Sequence, residues 1–536
     1  MIRTAGNPPS SPWSVKTSWC VLLLLTLGAA ARVALVFEGG RFFISDERRY
    51  THGYQLYCAA LQGDKTGMLI AAKHAANWGF IPVTALTTAG HHGLSALAGQ
   101  PELSQLRRTL FLGAMILAMA PVVTVWLVYR LALRMGADEW EAFCAALVLS
   151  FSNTAFYFSR HLFPYDTAIA LVMGAVLVSV GPSGTKRSLL AGALGGAAFH
   201  VYNGYWYLLP LVVLTRFWSI GLTRRGFLDV GLATTGAAAA IALPYLWGWW
   251  VYGTDFLKST VLYGRSVVQG LYREGWSFPW EYFWHSERIF GLLALGLVAV
   301  GLWLGFRTRQ PIPPRVRYFF VCVAGIYLIW VSVSCFAHLF VLNARTTKPL
   351  IPFLCLLAGW GLAFLGRMNR RLGWAAAALL VGVGATNLLP HYGLVFPREF
   401  EQAVWSQVGI PKRSASVSGS FFEPENFPVT APQYVMVNAG YLYPIRAPAK
   451  LPEGETIFSA EHPLAHPPYQ YDGFTPRQRR ILRSADLRMR LIRLADPASV
   501  SDLPPAEFQH RNEDWPDGFD SEAEMAHRFS TPPPRR

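Results

Sequence analysis

The sequence predicts an all-α polytopic membrane protein of about eleven transmembrane helices, followed by a small extracytoplasmic C-terminal α/β region. Three observations lead there. Of the 536 residues, 52% are hydrophobic and only 15% are charged, and the mean hydropathy is +0.28, outside the range of an ordinary soluble protein. The apolar residues come in long blocks that meet or approach the roughly 20 residues a helix needs to cross a bilayer. The basic residues, which bring the formal net charge to +15, cluster in short loops between those blocks, as they do where charge sets membrane orientation. They form no stripe with interleaved aromatics, so the expected partner is a lipid bilayer and not nucleic acid. Nineteen Trp and twenty-two Tyr suit a chain with two membrane interfaces to occupy.

Residues 1–17 read as a cytoplasmic N-terminus, and the first span as about Ser18 to Phe37. That run is long for a secretion signal, lacks a clean small-residue cleavage site and precedes further spans, so it reads as a retained helix. Arg32 near its outer end can snorkel or face a cavity. In the first external loop, residues 38–108, the stretch Trp78 to Leu97 reads as a helix lying on or dipping into the interface. Further spans follow at Thr109–Leu133, Trp140–Ser159 and Pro164–Gly181.

The run Ser188 to Phe217 is too long for one untilted span and is broken by His200-Val201-Tyr202-Asn203-Gly204. Basic residues at both ends make it a hairpin of two spans, and interrupted apolar segments of this kind mark cavities. The seventh span is Phe227–Trp250, and residues 251–288 form a second large external loop. The remaining spans are Ile289–Phe306, Tyr318–Ala337, Pro349–Leu365 and Leu372–Leu389.

With the N-terminus inside, Arg130/Arg134, Lys186/Arg187, Arg216/Arg224/Arg225, Arg307/Arg309/Arg315/Arg317 and Arg367/Arg370/Arg371 all fall inside. The first external loop, the second one and everything after residue 389 are then extracytoplasmic. Residues 390–495 read as a C-terminal domain, with strands at Tyr434–Val437 and Tyr441–Tyr443 and an amphipathic helix from Arg477 to Ala495. Residues 496–536 have the composition of a disordered tail. Five of the six cysteines lie within apolar blocks and Cys58 stands alone in the first loop, so neither a disulfide framework nor a ligand-spaced metal cluster is expected.

This topology sets several polar groups at one outer level: Asp46 and Glu47; Arg160, His161 and Asp166; His200, Tyr202 and Asn203; Lys258, Arg265 and Arg273; His338, Asn343, Arg345 and Lys348. Ionisable groups at span ends are commonplace singly. Together, carboxylates able to take a proton from a hydroxyl and cations able to hold a phosphate make a site for attack on a phosphorylated donor.

Asp46-Glu47-Arg48-Arg49-Tyr50, directly after a first transmembrane helix, resembles the acidic signature in the first external loop of the GT-C superfamily. The likeness is to the glycosyltransferases related to protein O-mannosyltransferases and lipid A aminoarabinose transferases. Arg160 to Asp166, ending in Pro-Tyr-Asp, is similar to that family's third-to-fourth helix junction, and Arg345 to Phe353 is similar to its late Arg-x-x-x-Pro-x-x-Pro element. The resemblance covers about Ser18 to Leu389 and implies a GT-C-like catalytic bundle over residues 18–389. It implies a sugar donor linked to a polyprenyl phosphate or pyrophosphate, and transfer to a glycan, lipid or protein acceptor outside the cell membrane with inversion. Asp46 would be the catalytic base and Glu47 would orient the site. Arg345, with Lys348 and a basic residue among Lys258, Arg265 and Arg273, would hold the lipid phosphate. Tyr50, Arg160, His161, Asp166, His200, Tyr202, Asn203 and His338 are the candidate cavity-lining residues. No cofactor is assigned with certainty; some members of the family bind a divalent metal near the acidic loop, for which His74, His91 and His92 are the candidates. An oligosaccharide ligase of the same fold is the near alternative. A lipid-glycan flippase or secondary transporter is the distant one, expected to carry mid-membrane charges and an inverted repeat.

Overall fold

The computed structural model describes residues 14–41, 43, 47, 52–73, 79–99, 106–253, 275–339, 342–396, 399–400, 403–404, 415–418, 434–437, 453–472, 479–480, 482–483 and 487–496. They belong to two compact units, Met1–Tyr392 and Gly393–Arg536.

The first unit is helical. Among the described residues, seven helices are long and apolar enough to cross a membrane: Thr17–Phe37, Phe111–Arg134, Arg224–Val251, Phe278–Arg307, Pro314–Phe336, Ala344–Met368 and Arg370–Gly393. They mark the chain as a multi-pass membrane protein. In chain order the elements begin with α1 (Ser14–Phe37), the loop helices α2 (His52–Gln62), α3 (Lys65–Lys73) and α4 (Ile81–Leu97), and then α5 (Leu106–Ala118) and α6 (Ala120–Arg134). The expected span Thr109–Leu133 matches the membrane-length stretch Phe111–Arg134, within which one turn at Met119, close before Pro121, separates α5 from α6.

Next come α7 (Glu139–Ser150), α8 (Tyr165–Ser179), α9 (Thr185–Val201) and α10 (Leu208–Ile220). They measure 12, 15, 17 and 13 residues, each short of the length that spans a bilayer unaided. The expected helix over Trp140–Ser159 is corrected. It ends at Ser150, and the chain then runs irregularly, with a 3₁₀ turn at Tyr157–Arg160, to Tyr165. Every residue from Ser152 to Asp166 is buried, the condition under which non-helical backbone is tolerated in a membrane domain.

The helix α11 (Arg224–Tyr252) follows, then α12 (Phe278–Tyr282), a π turn at Phe283–Glu287, and α13 (Arg288–Arg307). Residues 278–287, expected in the external loop, are therefore helical, because Phe278, Tyr282 and Phe283 bury an apolar face continuous with the span behind them. The unit closes with α14 (Pro314–Trp330), the short α15 (Ala344–Thr347), α16 (Ile351–Met368) and α17 (Arg370–Leu388).

Small residues let these helices approach closely where lipid supplies no hydrophobic drive. A Cβ on Gly192 of α9 would lie 1.9 Å from the Ala233 carbonyl of α11, and one on Gly196 would lie 2.8 Å from that of Ala237. The most enclosed helix, α16, uses Gly359 against the Ala145 amide of α7 (2.4 Å) and Gly361 against the Leu297 carbonyl of α13 (2.0 Å). At the end of the bundle holding the loops rich in arginine, Glu141 takes a two-pronged bond from Arg315 (2.7 and 2.9 Å) and a third from Arg367 (3.0 Å), which also reaches Asp138 at 2.7 Å. This network ties the ends of α7, α14 and α16 together.

In the second unit, β1 (Ala415–Ser418), β2 (Tyr434–Val437), β3 (Gly454–Glu461) and β4 (Arg488–Leu494) form a sheet in the order β1-β2-β4-β3. β1 and β2 are parallel, and β4 is antiparallel to both its neighbours. Met489 and Leu491 pack with Phe400 and Val404 in its core. The amphipathic helix expected over Arg477–Ala495 is corrected here, since its second half is β4. Leu487, Leu491 and Leu494 fit a helical period, but Arg488-Met489-Arg490-Leu491 also alternates with period two, and pairing with β2 and β3 decides for the strand. The expected strand at 441–443 and the tail beyond Asp496 lie outside the described residues.

His462, after β3, is fully buried, and its Nδ1 accepts the Leu464 amide at 3.1 Å. Burial pushes its pKa from 6.5 down to about 3. Between those values the unfolded chain binds a proton that the folded unit refuses. Stability is therefore expected to fall as pH drops from 6.5 towards 3, by up to about 1.4 kcal/mol per pH unit. Hydrogen exchange of the β3 amides in the full-length protein at pH 7, 5.5 and 4 measures this, and His462→Asn should flatten the slope. An unchanged slope in the variant would assign the pH dependence elsewhere.

Candidate functional site

The buried segment from Ser152 to Asp166 organises the polar residues of the first unit. It holds its shape because its backbone is bonded from outside. The Glu287 carboxylate accepts from Ser152 Oγ (2.8 Å), the Asn153 amide (2.9 Å), the Thr154 amide (2.8 Å) and the Thr154 hydroxyl. Asn153 Nδ2 donates to the Ser286 carbonyl at 2.6 Å, and its Oδ1 lies 2.5 Å from His391 Nε2. Arg160, fully buried, donates to the His391 carbonyl. Arg32 reaches the Ala155 carbonyl at 3.4 Å and lies 5.1 Å from the centre of the Phe156 ring, so it faces the protein interior.

At the far end of this segment two elements from opposite ends of the unit meet. From the loop after α1, Glu47 is fully buried, with Oε1 accepting the Leu162 amide at 2.7 Å and Oε2 lying 3.2 Å from His161 Nδ1. From the late element, Lys348 Nζ lies 2.9 Å from Asp166 Oδ1, donates to the Thr154 carbonyl at 2.8 Å, and sits 4.3 Å from the centre of the Phe158 ring. Asp166 stands in the first turn of α8, where the helix dipole favours its negative charge. Beside the pair is a cavity of about 20 Å³, lined in part by Thr124, Thr154, Asp166 and Lys348, room for one water.

Arg345 Nη1 donates to the Tyr165 hydroxyl at 3.0 Å, and its guanidinium lies 5.7 Å from that ring's centre. The loop between α9 and α10 fixes its backbone, since Tyr205 OH donates to the Arg345 carbonyl at 2.7 Å and Tyr207 OH to that of Thr346 at 2.9 Å. From Leu342 to Phe353, Arg345 is the one residue that is not buried. Aromatic contacts continue the spine: Phe163 stacks on Tyr165 with ring centres 4.8 Å apart, and Tyr202 meets Tyr165 edge-on at 4.7 Å.

Glu47, Arg160, His161, Asp166, Tyr202, Arg345 and Lys348 therefore gather on one segment. Two expected cavity-lining residues do not join them: His200 Nε2 lies 3.0 Å from the Ile241 carbonyl of α11, and His338 Nε2 lies 2.9 Å from the Cys335 carbonyl. Asn203 sits half-buried in the turn between α9 and α10. Asp46, Tyr50, His74, Lys258, Arg265 and Arg273 lie outside the described residues. His92 Nδ1 lies 2.8 Å from Tyr57 OH. Among the described residues no group of three or more His, Cys, Asp or Glu side chains is arranged to hold a metal.

Sequence reasoning passed over Glu287 and Tyr165 as contributors. The signal for Glu287 was the polar triplet Ser152-Asn153-Thr154 inside an apolar block, which needs a buried partner. Comparison of the chain with family models and with curated proteins finds no match.

Proposed function

We propose that the protein is an integral-membrane glycosyltransferase that moves a sugar from a polyprenyl-phosphate donor to an acceptor hydroxyl on the extracytoplasmic face of the cell membrane. In this reading the four short helices also cross, giving eleven spans with the N-terminus inside. Asp46 takes the hydroxyl proton as the acceptor oxygen attacks the anomeric carbon, the bond to the donor phosphate breaks, and Arg345 stabilises the charge on the departing phosphate. Inversion follows from a single displacement with no covalent nucleophile. Lys348, enclosed and bonded to Asp166, acts by positioning the segment that carries Arg345. The observation that carries the reading is that Glu47, neighbour of Asp46, and Arg345 are both bonded to residues 162–165. The sugar, and whether the acceptor is a glycan, lipid or protein, follow from the assay below. A ligase would differ in the size of glycan moved.

The test is release of polyprenyl phosphate, with sugar appearing on an acceptor, when purified full-length protein meets synthetic polyprenyl-phosphate sugars. Arg345→Ala is expected to lower the rate about a hundredfold, the scale for losing one preorganised charge at a leaving group. If the wild type consumes no donor but moves labelled lipid-linked sugar across proteoliposomes, the protein is a flippase and the proposal fails.

A further inference from the structure

At the end of the bundle opposite the candidate site, the turn Val180–Gly184 between α8 and α9 is wrapped by arginines. Arg216, fully buried, donates to the Ser179 carbonyl at 2.6 Å and to Asp229 at 2.7 Å. Arg225 Nε donates to Ser183 Oγ at 2.6 Å, and Arg187 Nη1 to the Pro182 carbonyl at 3.3 Å. Ser219 holds the turn from below, accepting the Gly181 amide at 2.8 Å. Gly181 has φ 140°, and a Cβ there would meet Arg187 Nη1 at 2.6 Å and Arg134 Nη2 at 2.8 Å. Two guanidinium tips thus converge on the space a side chain would fill.

Among the described residues, Arg134 and Arg187 form no ion pair with an acid. The charges acting on Arg134 are those of Arg187, Arg130 and Arg216. Asp229 is bonded to Arg216, and among the described residues no carboxylate is one of the charges acting on Arg134. Guanidiniums held together in this way are compensated when an anion with several acceptor oxygens sits between them, and phosphate matches their planar forks. On the adjoining surface Val123, Trp126 and Leu190 are exposed apolar side chains, and Arg130 lies 5.9 Å from the Trp126 ring centre.

We infer that Arg134, Arg187 and the Gly181 turn form a binding site for a phosphate-bearing anion. The sources of that chemistry are the headgroup of an anionic phospholipid, whose chains would lie along Val123, Trp126 and Leu190, and free inorganic phosphate. The site is independent of the proposed transfer reaction.

Native mass spectrometry of the purified full-length protein with phosphatidylglycerol or phosphatidylcholine, and melting curves with and without inorganic phosphate, test it. Arg134→Gln/Arg187→Gln is expected to weaken retention of phosphatidylglycerol about thirtyfold, as for two lost basic contacts at a membrane surface. Arg134→Gln alone, at an exposed side chain, is expected to cost about fivefold. Arg307→Gln/Arg309→Gln, with the same change in net charge elsewhere, should retain the lipid. Preference for phosphatidylglycerol identifies the headgroup as ligand, and a phosphate-induced rise in melting temperature that vanishes in the double variant identifies the free ion. Equal binding of both probes by the wild type and the double variant, or equal loss in the Arg307/Arg309 control, overturns the site.

Discussion

Asp46→Asn is expected to lower sugar transfer by about a hundredfold to ten-thousandfold, the range for removing a positioned general base, while leaving the melting temperature unchanged. The amide keeps the shape of the carboxylate but takes no proton from the acceptor hydroxyl. The contrast with its neighbour sharpens the test. Both oxygens of Glu47 are engaged by protein donors, the Leu162 amide and His161, in a fully buried setting. A base must reach its substrate, so the proposed mechanism gives the proton-transfer role to Asp46 and the positioning role to Glu47. Glu47→Gln would leave one carboxamide group facing a donor and is expected to lower the melting temperature together with activity. Rates and melting curves of both variants, measured on the same preparations, separate the two roles. Full activity in Asp46→Asn would end the proposed mechanism.

Replacing Glu287 by Ala is expected to destabilise the membrane domain by about 3–5 kcal/mol, the scale for removing one partner of a buried charged network. Ser152, Asn153 and Thr154 would be left with donors directed at the lost carboxylate, and water does not reach them from lipid. The segment from Ser152 to Asp166 would lose the carboxylate that anchors its Ser152 end, where Lys348 would still hold the Thr154 carbonyl. Glu287→Gln restores one acceptor oxygen but sets an NH₂ group against amide donors, so an intermediate loss of about 1–3 kcal/mol is expected. Melting curves of the purified variants give the order wild type, Gln, Ala. A Glu287→Ala protein as stable as the wild type would show that the segment is held by other bonds.

Much of the helical framework was legible because its cause is local in the chain. An apolar run long enough for a bilayer signals itself, as Leu22 to Val36 in α1 and Ile351 to Leu365 in α16 do. The break at His200 to Gly204 was legible from its polar cluster, whereas the turn before Pro121 and the end of α7 at Ser150 were not. Errors arose where two periods fit one stretch, as at Arg488 to Leu494, or where a helix end depended on a distant partner. α7 stops at Ser150 because Glu287, far along the chain, binds the amides that follow; within Trp140 to Ser159 the polar triplet Ser152-Asn153-Thr154 signals the need for a buried partner but not which residue supplies it.

The residues of the candidate site divide in the same way. Glu47, Asp166, Arg345 and Lys348 could be named from residue type, level and resemblance. Their pairing could not, because topology sets depth along the membrane normal and leaves positions around the bundle open. By itself the sequence determined that the chain is a helical membrane protein, since hydropathy and length act residue by residue. Only the tertiary structure decided that Lys348 is bonded to Asp166, that Glu47 is enclosed by His161 and Leu162, and that Arg345 is the residue left accessible. Ionic and hydrogen-bonded partners act at about 3 Å, and that proximity exists only after distant helices have packed.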